Sequence, residues 1–385
     1  MRVDILYLPM SNHQFEIRFT RLRLLGMRGV KSILTILLAG LIFPGGAGAK
    51  DVESCEQDLE CLKQLHATHP AKYMQSWQAI QALPLERRIM RAPNRLIDYL
   101  NIDNRLQGFP NRTRPAKIPR KFLKDLKAAI AELPAEVIEL VDDRLMGIFL
   151  VEDLGGTGAT DYVFDDMGVA AGALIVLDVS VLNLPANRWA TWKENTPFTP
   201  DAEFELRAEI ETDSDNNLKQ ALQYILLHEL GHVASVGANI HPPWSGWDCV
   251  EDPPEEYPYF NLSWVVSNLE TCAVESRFDT SGFSYRKDVV YYFGARLPES
   301  VSPEVYSQLA LTNFPSLYAA TSPAEDFAEA FVTFVHQKMM NKPFEIRISR
   351  DGTEVTRFSG CWGEVRCAAK KNILSGLFMA EQTNP

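Results

Sequence analysis

The sequence predicts an α+β fold in which helices dominate and the sheet is small. Most of the apolar residues recur at helical spacing. One run of β-branched and aliphatic residues, 172–184, is typical of a strand. Residues 344–360 predict a β-hairpin that turns at Asp351-Gly352. With 385 residues, 46% of them hydrophobic and 23% charged, the chain has ordinary globular composition and enough apolar material for a large core.

The first 49 residues have the features of a secretory signal rather than of a fold. Basic Arg28 and Lys31 precede an apolar stretch, 33–43, and small residues follow up to Ala49. This order predicts a signal peptide, residues 1–49, that is cleaved after Ala49, with an uncleaved anchor as the alternative. The apolar stretch is shorter than the about 20 residues that span a membrane. We therefore expect an exported protein, periplasmic or secreted, without stable membrane insertion after cleavage.

Charge and cysteine content support export and exclude one class of partner. Residues 1–49 hold six Lys/Arg and two Asp/Glu, so the remainder carries a formal charge of −16. Because it has no basic stripe, we expect no nucleic acid partner. All six cysteines follow the signal, and an even number in an exported chain favours disulfides. Sequence proximity predicts the pairs Cys55–Cys61, Cys249–Cys272 and Cys361–Cys367, although six cysteines allow 15 pairings.

The chain after the signal divides into two predicted regions. Residues 50–120 form a polar helical segment that ends in a Pro/Arg-rich linker. Residues 121–385 form the main domain, which begins with the helical pattern of residues 121–143. The glycine-rich segment 154–161 lacks the residues that complete a phosphate-binding loop, so it is predicted to be a turn.

A helix is predicted to begin near Leu218, with Asp215 or Asn217 as its cap. It carries the candidate metal-binding and catalytic residues. Its sequence includes HELGH, so His228 and His232 lie one turn apart on one face. Two imidazoles in this arrangement can bind one metal ion at about 2.0–2.1 Å each. A chance match to this pattern is the alternative, and it arises in about one such chain per hundred.

The glutamate between the two histidines has a different position on the helix. Glu229 lies about 100° round the axis from His228. This keeps its carboxylate off the metal but within reach of a water molecule there. A carboxylate in that place can act as a general base.

Two histidines need a third protein ligand to form a catalytic zinc site. His241 and Asp248 follow in the chain and either could serve, whereas Ala238 stands where a metzincin would have its third histidine. The stronger candidates lie in a second helical segment, residues 318–336, in which Glu325 and Glu329 share a flank. His336 at the end of this segment is interpreted as a flank histidine and not as a ligand.

These two segments together resemble a known family. HELGH is followed by Glu325-Asp326-Phe327-Ala328-Glu329, and Tyr318 precedes Glu325 by seven residues. The combination resembles the catalytic domain of anthrax lethal factor and its relatives, the gluzincin metallopeptidases. The resemblance implies a zincin-like catalytic domain with one Zn²⁺ per chain. It implies that His228, His232 and Glu325 bind the metal, that Glu229 is the base and that Tyr318 donates to the oxyanion.

A helix cap offers a competing role for Glu325. Ser322-Pro323-Ala324-Glu325 matches a capping box, in which the glutamate binds a backbone N–H. Glu329 would then be the metal ligand. Whichever of the two glutamates is not the ligand would orient a histidine or the tyrosine.

The sequence therefore predicts an exported, zinc-dependent endopeptidase that acts on protein or peptide substrates. A strand near residues 173–181 is expected to supply a sheet edge on which an extended peptide pairs. The alternatives are a non-enzymatic, zinc-stabilised binding module and a hydrolase of a non-peptide amide. The intact Glu229 argues against the binding module, because a structural zinc site needs no base.

Overall fold

The computed structural model describes residues 55, 58–242, 256–269, 273–280 and 282–380. These residues belong to one compact unit, Lys50–Pro385. The predicted signal peptide and the expected Cys249–Cys272 pair lie outside the described residues. Within the described ranges, no helix is long and apolar enough to cross a membrane.

Helices and strands are both abundant, which confirms the α+β prediction at the level of fold class. The helices are α1 (Leu59–Ala67), α2 (Gln78–Gln81), α3 (Asn94–Leu106), α4 (Arg120–Ala131), α5 (Ala135–Asp142), α6 (Ala186–Asn195), α7 (Leu218–Ser235), α8 (Phe260–Ser263), α9 (Ser302–Leu309), α10 (Pro323–Phe334) and α11 (Ala368–Ala380). The strands are β1 (Ile89–Arg91), β2 (Arg114–Pro115), β3 (Leu145–Glu152), β4 (Gly158–Phe164), β5 (Ala170–Asp178), β6 (Phe198–Thr199), β7 (Phe204–Glu209), β8 (Trp264–Asn268), β9 (Ala273–Ser276), β10 (Leu297–Pro298), β11 (Glu345–Arg350) and β12 (Thr353–Phe358).

The main sheet has five strands and is larger than the sequence predicts. Its order is β1-β3-β5-β4, and β2 pairs with β3. The segment before residue 120 supplies β1 and β2, so it belongs to the same sheet as the strands that follow. Strand β5 packs Leu174 and Val176 into one core and Ile175 and Leu177 into the other. Helices therefore cover both faces, which explains the continuous apolar run in the sequence.

The expectation that residues 173–181 form a sheet edge is wrong. Strand β5 lies between β3, with which it is parallel, and β4, with which it is antiparallel. The edge on that side of the described sheet is β4. A strand buried on both faces belongs in the interior of a sheet, so the apolar run itself argues for the central position.

Strand β4 also corrects the interpretation of the glycine-rich segment 154–161 as a turn throughout. The turn ends at Thr157, and β4 begins at Gly158. A Cβ atom on Gly158 would lie 3.0 Å from Oε1 of Glu229, so the glycine makes room for that carboxylate. Small and polar residues occupy the part of β4 that faces α7. The alternation of apolar residues that marks a strand is therefore missing.

Helices α7 and α10 pack closely against each other and hold the two segments singled out by the sequence. Asn217 caps α7 by accepting hydrogen bonds from the backbone N–H groups of Lys219 and Gln220. A Cβ atom on Gly231 would lie 2.8 Å from the Cα atom of Ala328 in α10. A side chain at this position would force the helices apart.

Three local predictions agree with the structure. Strands β11 and β12 form the predicted hairpin, and Asp351 and Gly352 at its turn have φ values of 48° and 75°. Strand β7 pairs with β11 and extends the hairpin to three strands. The disulfides Cys55–Cys61 and Cys361–Cys367 are present, with Cα–Cα distances of 5.4 and 5.7 Å.

Candidate metal centre

Helix α7 brings two histidines to the floor of a cleft. His228 and His232 are one turn apart, and their ring centroids are separated by 5.1 Å. Their side chains are 12% and 14% exposed, so they are accessible to a small ion but shielded from bulk water. The cleft has a volume of about 300 Å³.

Helix α10 places a carboxylate against both rings. Oε2 of Glu325 lies 3.1 Å from Nε2 of His228 and 3.7 Å from Nε2 of His232. One ligand atom from each of the three side chains lies within 4.8 Å of the others, so the group could hold a metal ion. Oε2 of Glu325 is buried and has no hydrogen-bond partner of good geometry. A buried carboxylate oxygen of this kind needs a cation, and two imidazoles with one carboxylate suit a transition metal.

The capping alternative is correct for the backbone of Glu325 but not for its side chain. Ser322 Oγ accepts a hydrogen bond of 3.3 Å from the N–H of Glu325, which caps α10. The carboxylate of Glu325 instead points towards His228 and His232. One residue thus takes part in the helix cap through its backbone and in the candidate metal group through its side chain.

Glu329, the runner-up ligand, contacts the other side of the His228 ring. Its Oε1 atom lies 3.0 Å from Nδ1 of His228, and its Oε2 accepts a 2.5 Å hydrogen bond from Ser316. Lys193 Nζ donates to the same Oε1 at 2.9 Å. Because a carboxylate only accepts, Nδ1 of His228 is the donor in this contact. Nε2 is then the nitrogen that faces Glu325, and it would bind a metal ion that displaces its proton.

The site concentrates negative charge around the two imidazoles. Burial alone would lower the pKa of His228, but Glu325 and Glu329 outweigh it and raise the pKa to about 10. Burial would raise the pKa of Glu325, yet the histidines hold it well below its usual range. For Glu329, Lys193 and His228 overcome the effect of burial and lower the pKa to about 2. Both carboxylates are therefore ionised, and the site favours a positive charge beside Nε2 of His228.

Glu229 is held near this group but does not belong to it. The residue is 6% exposed, and Thr160 Oγ1 donates a 2.7 Å hydrogen bond to its Oε2. The carboxylate lines the same cleft as His228 and His232 but lies against β4 instead of the shared ligand position. The helical offset predicted from the sequence is present.

Tyr318 lines the cleft on the side of α10. It lies in a single 3₁₀ turn, Tyr318–Ala320, and its ring stacks on His228 with centroids 5.7 Å apart. Burial raises the pKa of its phenol well above 10, with the charge of Glu325 as a second cause. The hydroxyl therefore keeps its proton at neutral pH and can donate a hydrogen bond.

The remaining sequence candidates occupy other positions. Nδ1 of His241 lies 2.9 Å from the carbonyl oxygen of Pro242, and His241 is not part of the three-residue group. Asp248 lies outside the described residues. His336 is buried and directs Nε2 to two backbone carbonyl oxygens, consistent with its interpretation as a non-ligand.

Four residues at the site went unnoticed in the sequence. Thr160 donates a hydrogen bond to Glu229, and Ser316 donates one to Glu329. Lys193 and Tyr292 line a small cavity of about 50 Å³ beside His228. Tyr292 has a φ of 66°, which is rare for an aromatic residue. The sequence carries little signal for any of them, because Thr160, Lys193 and Tyr292 are far from both segments in the chain and Ser316 is of a common type.

Comparisons of the chain with protein-family models, with curated proteins and with solved structures found no match.

Proposed function

We propose that this protein is a zinc-dependent endopeptidase of zincin-like architecture that acts outside the cytoplasm. One observation carries the proposal: within the described residues, His228, His232 and Glu325 bring ligand atoms within 4.8 Å of one another, and the Glu229 carboxylate lines the same cleft. A purely structural site would use a fourth protein ligand and would need no adjacent buried carboxylate. Three protein ligands and an open fourth position are the pattern of catalytic zinc.

The residues around the cleft have separate tasks in the proposed reaction. A bound zinc ion would polarise the scissile carbonyl and lower the pKa of water towards about 7. Glu229, held by Thr160, takes the proton of the attacking water and passes it to the leaving amine. Tyr318 donates a hydrogen bond from its hydroxyl group to the oxygen that becomes negative in the transition state.

The edge strand β4 offers a place for the substrate backbone. It forms one wall of the cleft through Gly158, Ala159 and Thr160, and β5 is its one strand neighbour within the described sheet. An extended peptide can add to such an edge through main-chain hydrogen bonds. N-methylation along a cleaved peptide should then weaken binding at alternate positions, whereas equal effects at every position would contradict this binding mode.

The disulfides support the proposal that the protein acts outside the cytoplasm. Cys55–Cys61 and Cys361–Cys367 are typical of proteins that mature in an oxidising compartment. Proteomic fractionation of the native host is the direct test, and finding the full-length chain only in the cytoplasm would contradict export.

The experiment compares Glu229→Gln and Tyr318→Phe with the wild type on a mixed peptide library, with and without a chelator. Both variants should keep zinc and fold, because neither side chain belongs to the three-residue metal group. Glu229→Gln should lose most turnover. Tyr318→Phe should lose a factor of about 10² to 10³ in kcat with little change in KM.

Three outcomes would count against the proposal or a part of it. A wild type that binds zinc but cleaves no peptide would favour a binding module or an amide substrate of another kind. Loss of zinc in Glu229→Gln would mean that this carboxylate has a structural role. A Tyr318→Phe variant with unchanged kcat would reduce the tyrosine to packing.

A further inference from the structure

A buried lysine stands behind the candidate metal centre. Lys193, near the end of α6, is 4% exposed. Its ammonium group lies 2.9 Å from Oε1 of Glu329 and 3.5 Å from Oε1 of Glu194. Burying a lysine costs free energy unless its charge is paired. Here the negative charges of both glutamates outweigh burial and raise the pKa of Lys193, so it stays charged.

The lysine shares one carboxylate oxygen with a proposed ligand. Oε1 of Glu329 accepts both from Lys193 and from Nδ1 of His228. Ser316 holds Oε2, so all of the hydrogen bonds to this carboxylate come from fixed groups. Without the lysine, Oε1 of Glu329 would keep only its contact with Nδ1 of His228, and the carboxylate could turn away from that nitrogen. The orientation of the His228 ring therefore depends on Lys193.

The same ammonium group also contacts the proposed oxyanion donor. Lys193 Nζ lies 4.7 Å from the ring centroid of Tyr318, within the distance of a cation–π interaction. Tyr291 and Tyr292 also pack against this ring, at 4.7 and 5.9 Å between centroids. One cation thus contacts both the carboxylate that orients a ligand and the ring that carries the donor hydroxyl.

We propose that Lys193 is a positioning residue of the metal centre, which fixes the Glu329 carboxylate against Nδ1 of His228 and packs on the face of Tyr318. The proposal rests on the proposed function in that it assumes a zinc ion at Nε2 of His228. It adds a residue that neither the motif nor the resemblance contains. Groups that orient a metal-binding histidine through its second nitrogen typically change metal affinity by about 10- to 100-fold.

The test is a double-mutant cycle on zinc affinity, measured by competition with a chromophoric chelator. Lys193→Met keeps the length and apolar bulk of the side chain and removes its charge. It should weaken zinc binding by about 10- to 100-fold. If the lysine acts through Glu329, the same change in a Glu329→Gln background should have little further effect.

The double variant also guards against a failure to fold. Lys193→Met alone leaves Glu329 without its cation, whereas the double variant removes both members of the pair. Glu194 then keeps two hydroxyl donors, Tyr291 and Tyr306, each at 2.7 Å. A matched control is Lys342→Met, because Lys342 also pairs with a buried carboxylate and contacts α7 through Gln223. This control should lose stability but keep the zinc affinity of the wild type.

Three outcomes among the variants would overturn the inference. The first is wild-type zinc affinity in Lys193→Met, and the second is an equal loss with and without Glu329. The third is the same loss in Lys342→Met, which would make the effect one of general stability. A wild type that binds zinc with this pattern but cleaves no peptide would overturn the proposed activity alone. A wild type that binds no zinc would overturn both.

Discussion

Two glutamates one turn apart on α10 have different surroundings, and the difference depends on the nitrogen that each faces. Glu325 lies against Nε2 of His228 and also near His232, whereas Glu329 lies against Nδ1 of His228 alone. Glu329 is also neutralised by Lys193. The first carboxylate therefore faces both imidazoles, where a metal ion can be shared, and the second is paired with a lysine.

The two carboxylates should respond differently to the same substitution. Glu325→Gln removes a charged ligand, so zinc affinity and activity should both fall steeply, with partial recovery of activity in excess zinc. Glu329→Gln keeps an oxygen that can accept from Nδ1 of His228, so its zinc affinity should fall less. Zinc competition titrations on both variants make the comparison. If Glu329→Gln loses zinc while Glu325→Gln keeps it, the assignment of the ligand is wrong by one turn.

The sequence predicts this pair of residues but cannot divide their tasks. The HELGH spacing and the Glu-x-x-x-Glu spacing each indicate one helix face, because residues four apart lie together. The division depends on Lys193, which is 136 residues away from Glu329 in the chain. A contact at that separation leaves no local pattern, so the sequence alone leaves the capping-box alternative open.

At the scale of elements, the distance between α7 and α10 determines the distance between the histidines and Glu325. Gly231 is a point of close approach, since its Cβ position lies 2.8 Å from Ala328 Cα and 3.1 Å from Phe331 Cβ. On the far side of α10, Asp326 pairs with Lys370 and accepts from Trp264 Nε1 at 3.0 Å. The helix is therefore fixed from two sides, and the ligand distance follows from packing.

Gly231→Ala should disturb this packing and the site together. The added methyl group has only backbone and a Cβ atom to displace, so we expect a loss of about 1–3 kcal/mol in the free energy of unfolding. Zinc affinity should fall as well, because α10 carries Glu325. Denaturant unfolding and zinc titration measure the two effects.

Gly376→Ala in α11 is the matched control, because nothing lies within 4 Å of its Cβ position. Alanine is the better helix former by about 0.8–1.0 kcal/mol, so this variant should be more stable than the wild type. Equal stability changes of the same sign in both variants would show that helix propensity, and not close packing, governs position 231.

The elements that the sequence predicts well are those with a strong local pattern. Asn217 and Ser322 as helix caps and the Asp351-Gly352 turn are all present. The sequence does not predict strand β4, because Gly158 makes room for the Glu229 carboxylate and Thr160 donates a hydrogen bond to it. Neither residue contributes an apolar side chain to a core. The strand that forms a wall of the cleft is thus the one whose sequence looks least like a strand.

For the molecule as a whole, a buried histidine outside the cleft lining links stability to pH. His336 is 1% exposed, and its Nε2 donates to the carbonyl oxygens of Ile210 and Pro343. Its Nδ1 is buried without a hydrogen-bond partner. Burial lowers the pKa of His336 to about 4, and Lys342 acts in the same direction. A second proton, on Nδ1, would have no hydrogen-bond acceptor.

Stability should therefore fall in mild acid. Because the folded-state pKa lies below the unfolded value of about 6.5, the unfolded chain binds more protons between these two values. The contribution of His336 is complete above pH 6.5 and is reduced by about 2 kcal/mol at pH 5. Denaturant unfolding at pH 7 and pH 5 measures it, and His336→Gln should show a smaller difference than the wild type. An equal difference in both proteins would contradict the assignment.

The central claim is that the three converging side chains hold a catalytic zinc ion. The most direct measurement is the zinc content of purified protein, determined by elemental analysis while a chelator removes the metal and peptide hydrolysis is followed in the same samples. We predict about one zinc per chain, loss of hydrolysis in proportion to loss of zinc, and recovery when zinc is returned. Full hydrolysis by protein that contains no metal would contradict the account.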